Sequence, residues 1–307
     1  MDCRRAVAAF LILLTASAAP LPLREAGWIA PDRRATALVA APAECVSAAE
    51  QRDPAVRIGY VLFRDPLLLG GQAARAGLSC ASCHRNGRSN PDFLFPGVSS
   101  GPGTADVTNA LFGVRRGDGM FNPVPIPDLA APGKVSRSVP GALEGFIRGL
   151  IVEEFDGPEP DPEALAGLSA YVRAVRAGPC RSAATVPVRL SDEVRTYALA
   201  LEPAKRAQAQ GSFPLAAQLA GAARAALGRI AERYGENEQA QLAALSRILA
   251  EYQQALRQRS GAVRAPTSRE TASLFARLAA REPHSLYAAK RIANHLGRER
   301  TVTGLSR

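Results

Sequence analysis

The sequence predicts an all-α protein in two unlike parts, and three observations support this. Apolar residues recur at helical spacing over 141–154 and 161–176, and again from about Ser191 to the end. Between the earliest helical stretches and these lies a long region, 86–134, crowded with Gly and Pro and nearly free of apolar periodicity. Charge divides the chain as well: the formal net charge is +10, and +8 of it falls from Ser191 onward. The expected division is a loop-rich domain of short helices over 51–185 and a small, basic helical bundle over 186–307.

The N-terminus precedes both parts. Arg4 and Arg5 form a positive start, Ala6 to Leu14 is a short apolar run, and Ala16-Ser17-Ala18 offers small residues for cleavage. These features predict a signal peptide over 1–18 and export to the periplasm, with an uncleaved anchor as the rival reading. Cys3 would leave with it. Residues 19–50, rich in Ala and Pro, are expected to form a poorly structured lead-in. A first helix is expected over 57–63, then a turn into a short helix over 66–77. Over 141–154, Leu143, Phe146, Ile147, Leu150 and Ile151 make a helical stripe. Asp161 is an N-cap ahead of Pro162, and Leu165, Leu168, Tyr171, Val172 and Val175 form the face of a helix that Gly178-Pro179 ends. Four or five helices follow, among them the stripes Leu215–Leu219–Ala222–Leu227–Ile230 and Leu242–Leu245–Leu249–Tyr252–Leu256. Thr267-Ser268-Arg269-Glu270 is a capping box.

Chemistry concentrates in Cys80-Ala81-Ser82-Cys83-His84. In a C-x-x-C-H sequence, two thiols add across the vinyl groups of haem and the histidine that follows ligates the iron. A redox dithiol would sit near a βαβ pattern, which is absent, and half a zinc site would need further Cys or His nearby. One covalent haem c is therefore expected on Cys80 and Cys83, with His84 as proximal ligand. For the other face of the iron, Met120 is the expected distal ligand, and its thioether would favour the ferrous state. An open distal position is the alternative; His284 and His295, in the helical part, are expected to be isolated surface residues. Arg88, Arg115 and Arg116 lie in loops expected to enclose the haem, where a guanidinium can pair with a propionate. Glu153, Glu154 and Asp156 read as a solvated helix end, the rival being a distal acid.

Gly59 and Phe63 on the first helix, with Leu168 and Tyr171 on the last, match the general c-type cytochrome pattern of two crossing helices. Leu62-Phe63-Arg64-Asp65-Pro66-Leu67-Leu68 followed by Leu78-Ser79-Cys80-Ala81-Ser82-Cys83-His84 resembles the start of a haem domain in bacterial di-haem cytochrome c peroxidases and their MauG-like relatives. Phe121 to Leu129 and Leu143-Glu144-Gly145-Phe146 are similar to its later part. The likeness spans roughly 57–176 and implies a cytochrome c-like haem domain; those enzymes carry two haems, and this chain has a single C-x-x-C-H.

Export permits disulfides. With Cys80 and Cys83 given to haem, Cys45 and Cys180 remain at the two ends of that domain, as a bridge or as two buried thiols. The basic bundle suits an acidic redox partner or peripheral contact with an anionic membrane; nucleic acid is not expected of an exported chain. The function expected is electron transfer by an exported single-haem cytochrome. The alternatives are a single-haem peroxidase-like enzyme with an open distal site and a protein that grips a redox partner.

Overall fold

The computed structural model describes residues 21–113, 115–179, 185–260 and 263–304, with side chains given up to 297. The signal-peptide segment and Cys180 lie outside them. The described chain is mostly helical. In order it forms α1 (Arg34–Ala37), β1 (Ala40–Pro42), α2 (Pro54–Leu62), α3 (Gly71–Arg75), α4 (Cys80–Cys83), β2 (Thr104–Ala105), β3 (Val124–Pro125), α5 (Ala142–Gly149), α6 (Pro162–Ala174) and β4 (Thr185–Pro187). The long helices α7 (Leu190–Ala209), α8 (Phe213–Ala231), α9 (Glu236–Arg257), α10 (Ser268–Arg281) and α11 (Ala289–Gly304) complete it.

Capping sets where α2 and α6 begin. Asp53 accepts from the Ala55 and Val56 N–H groups at 2.8 and 3.2 Å, and Pro54 occupies the first helical position. Asp161 accepts from Glu163 N–H at 2.9 Å, with Pro162 in the equivalent place. The two helices then cross almost without separation. A Cβ added to Gly59 would lie 1.9 Å from the Gly167 carbonyl oxygen and 2.6 Å from Tyr171 Cβ, so only glycine admits this approach. Tyr171 is fully buried at the crossing, edge-on to Tyr60 and 5.1 Å from the Phe63 ring. The pair of crossing helices expected from Gly59, Phe63, Leu168 and Tyr171 is thus present.

The region 86–134 is largely irregular, but it is not structureless. Two residues of β2 pair antiparallel with two of β3, Thr104 opposite Pro125 and Ala105 opposite Val124. The helical stripe over 141–154 is interrupted. α5 ends at Gly149, and Leu150–Glu154 forms a wider π-type turn that buries Ile151 and Glu154.

The lead-in differs from its expectation. From residue 21 onward it is folded, because its few large apolar side chains find partners far along the chain. Leu23, Trp28, Ile29 and Leu38 are buried. Leu94 N–H donates to the Trp28 carbonyl and Ala30 N–H to that of Asp92, at 3.0 and 2.9 Å. β1 pairs with β4, Ala41 opposite Val186. Buried Arg233, just beyond the end of α8, holds the segment from the other side, donating to the Leu38 carbonyl at 3.1 Å and pairing with Glu25 at 3.3 Å. A composition rich in Ala and Pro argues for disorder only when no distant surface is waiting to be covered.

The bundle follows its periodicity closely. Leu215, Leu219, Ala222, Leu227 and Ile230 on α8 are buried, as are Leu242, Leu245, Leu249, Tyr252 and Leu256 on α9. The Thr267–Glu270 capping box opens α10, Thr267 N–H donating to the Glu270 carboxylate and Glu270 N–H to Thr267 Oγ1 at 3.3 Å. One apolar core runs without interruption from the α2–α6 crossing into α7 and α8. Among the described residues, no helix is long and apolar enough to cross a membrane.

Gly59→Ala forces a methyl group into the Gly167 backbone. It should destabilise the protein by about 2 kcal/mol or more, read as a lower denaturant midpoint with an unchanged slope. A wild-type midpoint in Gly59→Ala would contradict the close crossing.

Candidate cofactor-attachment site

The site is built on the end of α2. Phe63, its C-cap, offers its carbonyl to Ala81 N–H at 3.0 Å and so ties α4 to the helix crossing. Ser79 N–H donates to Ser82 Oγ at 3.1 Å, closing the first turn of α4, and His84 N–H donates to the Cys80 carbonyl at 2.8 Å. Cys80 and Cys83 therefore share one helical turn, and His84 leaves it immediately. Both thiols are free and half-buried. Burial pushes each up to about 12, so both are protonated thiols across the ordinary pH range.

The orientation of His84 comes from residues forty positions later. Its Nδ1 lies 3.1 Å from the Pro127 carbonyl oxygen. A carbonyl can only accept, so Nδ1 carries the proton and the Nε2 lone pair is left for a metal. Burial pushes the imidazole down to about 4, against the opposing pull of Pro127 and Asp128, which keeps the ring neutral and able to ligate. The Phe63 ring stands 6.5 Å from the imidazole.

Pro127 is itself held in place. Arg88 Nε donates to both Asp128 oxygens at 2.9 and 2.7 Å, and Asp128 accepts from Ala130 N–H at 2.9 Å. Burial would raise the Asp128 pKa, but these bonds outweigh it and lower it. Arg88, expected near a propionate, is thus engaged in fixing the turn that carries the His84 acceptor. Neither Pro127 nor Asp128 was singled out as functional by sequence; the only signal was their place in the Pro-rich run from Phe121 to Leu129.

Behind the motif lies a second network. Asn86 adopts a left-handed backbone with φ 53°, accepts from Arg64 Nη2 at 2.8 Å and donates to the Pro42 carbonyl at 2.8 Å. The Arg64 guanidinium rests 3.7 Å from the Tyr60 ring centroid and pairs with Glu44 at 3.3 Å. Tyr171 donates to the same Glu44 at 2.7 Å.

The remaining expected residues fall in several places. Met120 stands 61 % exposed on the loop between β2 and β3, its N–H donating to Asp118 Oδ1, with no contact to His84 among the described residues. Cys45 is fully buried and disulfide-bonded. Arg176 N–H donates to its carbonyl at 2.9 Å, so the segment leading to Cys180 runs beside Cys45, while Cys180 lies outside the described residues. Arg116 pairs with Glu153 and Glu154 at 2.7 and 3.1 Å, and Arg115 is exposed. Asp156 adopts φ 51° just after the π-type turn. His284 is exposed in the turn after α10 and His295 is on α11; neither contacts His84 among the described residues. No cluster of three or more His, Cys, Asp or Glu able to hold a metal is present among the described residues. The potential ligands offered are one histidine beside two thiols.

Comparison with known proteins gives no match to a family model, to a curated protein or to a solved structure.

Asp65 lies close behind Cys80. It is 1 % exposed, accepts from Leu67 N–H at 3.1 Å through Oδ1, and its Oδ2 has no hydrogen-bond partner. Burial pushes its carboxyl up to about 7, with the Leu67 bond and Arg229 only partly offsetting this. A carboxyl protonated more readily in the folded state stabilises the fold least at high pH: stability falls as pH rises from about 4 to 7 and is flat beyond. Asp65→Asn keeps the cap and removes the titration. It should gain stability relative to wild type between pH 4 and 8, by about 1–3 kcal/mol at the upper end. A difference between the two proteins that does not vary with pH would count against a buried, elevated carboxyl.

Proposed function

We propose that this protein is an exported single-haem c-type cytochrome that carries electrons. The observation that carries the reading is the His84 arrangement: two free thiols one turn apart, followed by an imidazole whose Nδ1–H is tied to the Pro127 carbonyl. In this reading Cys80 and Cys83 would hold the haem covalently through thioether links. His84 Nε2 is the proximal ligand. When bound, the haem supplies reversible one-electron exchange between ferric and ferrous iron.

A further feature of the chain suits such a group. Leu111, Met120, Phe121, Val124, Val139 and Phe146 are large apolar side chains left exposed in the loops and helix that follow the motif. Exposed apolar side chains of this size suit a large apolar partner. Met120, on this stretch and next to Gly119 with its positive φ, is the residue proposed to close on the distal side.

The acceptor on His84 favours a carrier over a peroxide-cleaving enzyme. A carboxylate at the position of the Pro127 oxygen would draw the Nδ1 proton strongly and make the imidazole a richer donor to iron, which assists O–O cleavage. A neutral carbonyl does this less, and leaves an imidazole suited to a ligand state that changes little between oxidation states. Arg88 takes part by keeping the Asp128 charge engaged beside that carbonyl.

Haem should remain with the polypeptide after denaturation and acid–acetone extraction. Cys80→Ala and Cys83→Ala should lower holoprotein yield severalfold, and His84→Ala should lose the low-spin spectrum. Haem that extracts freely from the wild type would overturn the attachment. The oxidised protein should show the weak red charge-transfer band of a thioether ligand, absent in Met120→Ala, which should also have a lower reduction potential. A wild-type spectrum already high-spin, with peroxide reactivity unchanged by Met120→Ala, would favour the peroxidase-like alternative.

A further inference from the structure

A cavity of about 570 Å³ lies behind the motif, between the lead-in and α4 on one side and α7 and α8 on the other. Ala81, Ser82 and Arg85 contribute to one wall, and Trp28 and Tyr60 supply aromatic surface. Its volume falls within the range of small-molecule sites, and junctions between structural units are where such sites gather.

Charge in this cavity is not fully matched. Arg24 pairs with Glu232, Arg64 with Glu44 at 3.3 Å and Arg229 with Glu193 at 2.9 Å. The Asp192 carboxylate accepts from Arg189 N–H at 3.0 Å at the start of α7. Three lining guanidiniums, those of Arg85, Arg189 and Arg195, are left without a carboxylate among the described residues. Half-buried Arg85 makes no side-chain hydrogen bond or ion pair among the described residues. Glu25 and Asp92 act on it from a distance, yet Glu25 is paired with Arg233 at 3.3 Å and Asp92 with Arg33 at 2.9 Å. Arg195, at the exposed rim, lies over the Tyr60 ring at 5.2 Å and bonds only the neutral Gln51 side chain, at 3.2 Å. A half-buried guanidinium that lines a cavity without a carboxylate is placed to meet an anion.

We infer that this cavity binds a small organic dianion, bridging Arg85 on the motif side to Arg195 on α7. Each guanidinium presents a planar fork that matches a carboxylate or a phosphate. The Trp28 and Tyr60 faces suit a short carbon skeleton between the two charged ends. The ligand would clamp the bundle to the segment that carries His84, and its binding requires no haem.

The full-length protein as purified is titrated calorimetrically, at constant ionic strength, with succinate and with glycerol phosphate to separate the two anion sources. Saturable binding of one molecule per chain is expected for at least one of them. Arg85→Gln and Arg195→Gln should each weaken it at least about tenfold, the loss of one charge-assisted contact. Arg247→Gln, exposed on α9, should leave it unchanged. Arg195 lies at the surface, so its variant carries the test should Arg85→Gln not fold. Absence of saturable binding by either compound, or binding that survives substitution of both arginines, overturns the inference.

Discussion

The contact between Gly59 and Gly167 is the constraint on which the rest of the structure depends. Two helices whose backbones touch leave no room for side chains between them, so the aromatic residues beside the contact are forced outward into fixed places. Tyr171 is sealed at the crossing and Phe63 is pressed against it. The Phe63 carbonyl then receives Ala81 N–H, which sets α4 in register with α2. Two Cys side chains and a His on a four-residue helix would have no defined direction alone, since so short a helix is unstable in water. Their direction is borrowed from the crossing.

His84 needs a second support, because an imidazole can still rotate about its own bonds. That support is the Pro127 carbonyl, and behind it the Arg88–Asp128 pair. The logic is that of metal sites generally: the partner of the non-ligating nitrogen chooses both the tautomer and the ring plane. A loop rich in Pro is well suited to this work. It presents carbonyl acceptors without matching N–H donors, so one carbonyl is free to receive the imidazole proton.

The bundle is joined to this frame by more than proximity. The α2–α6 crossing, α7 and α8 share one core, and polar contacts reinforce the seam: Tyr60 meets Thr196 at 3.3 Å and Arg229 donates to the Arg64 carbonyl at 3.2 Å. The lead-in wraps the same seam, with Arg24 and Glu25 reaching Glu232 and Arg233 at the end of α8. Part of the basic side-chain population from Ser191 onward is engaged within the molecule. Arg229 and Arg233 hold internal carboxylates and carbonyls, while Arg247, Arg257 and Arg269 stay on the surface.

By itself the sequence determined most of the long helices and marked one short motif as the candidate site. Caps such as Asp53, Asp161 and Thr267 and the stripes of α8 and α9 act within a few residues, so they are legible wherever the chain goes. Cys80, Cys83 and His84 are legible for the same reason, since they lie within five consecutive residues. Tertiary structure alone decided what lay far apart. Pro127 as the acceptor of His84, Asn86 locked by Arg64, and the folding of residues 21–50 against α8 each join segments separated by tens to hundreds of positions. No local pattern encodes such pairings. They arise because buried polar groups must find partners and apolar side chains must be covered, and only the packed chain shows which surfaces are within reach.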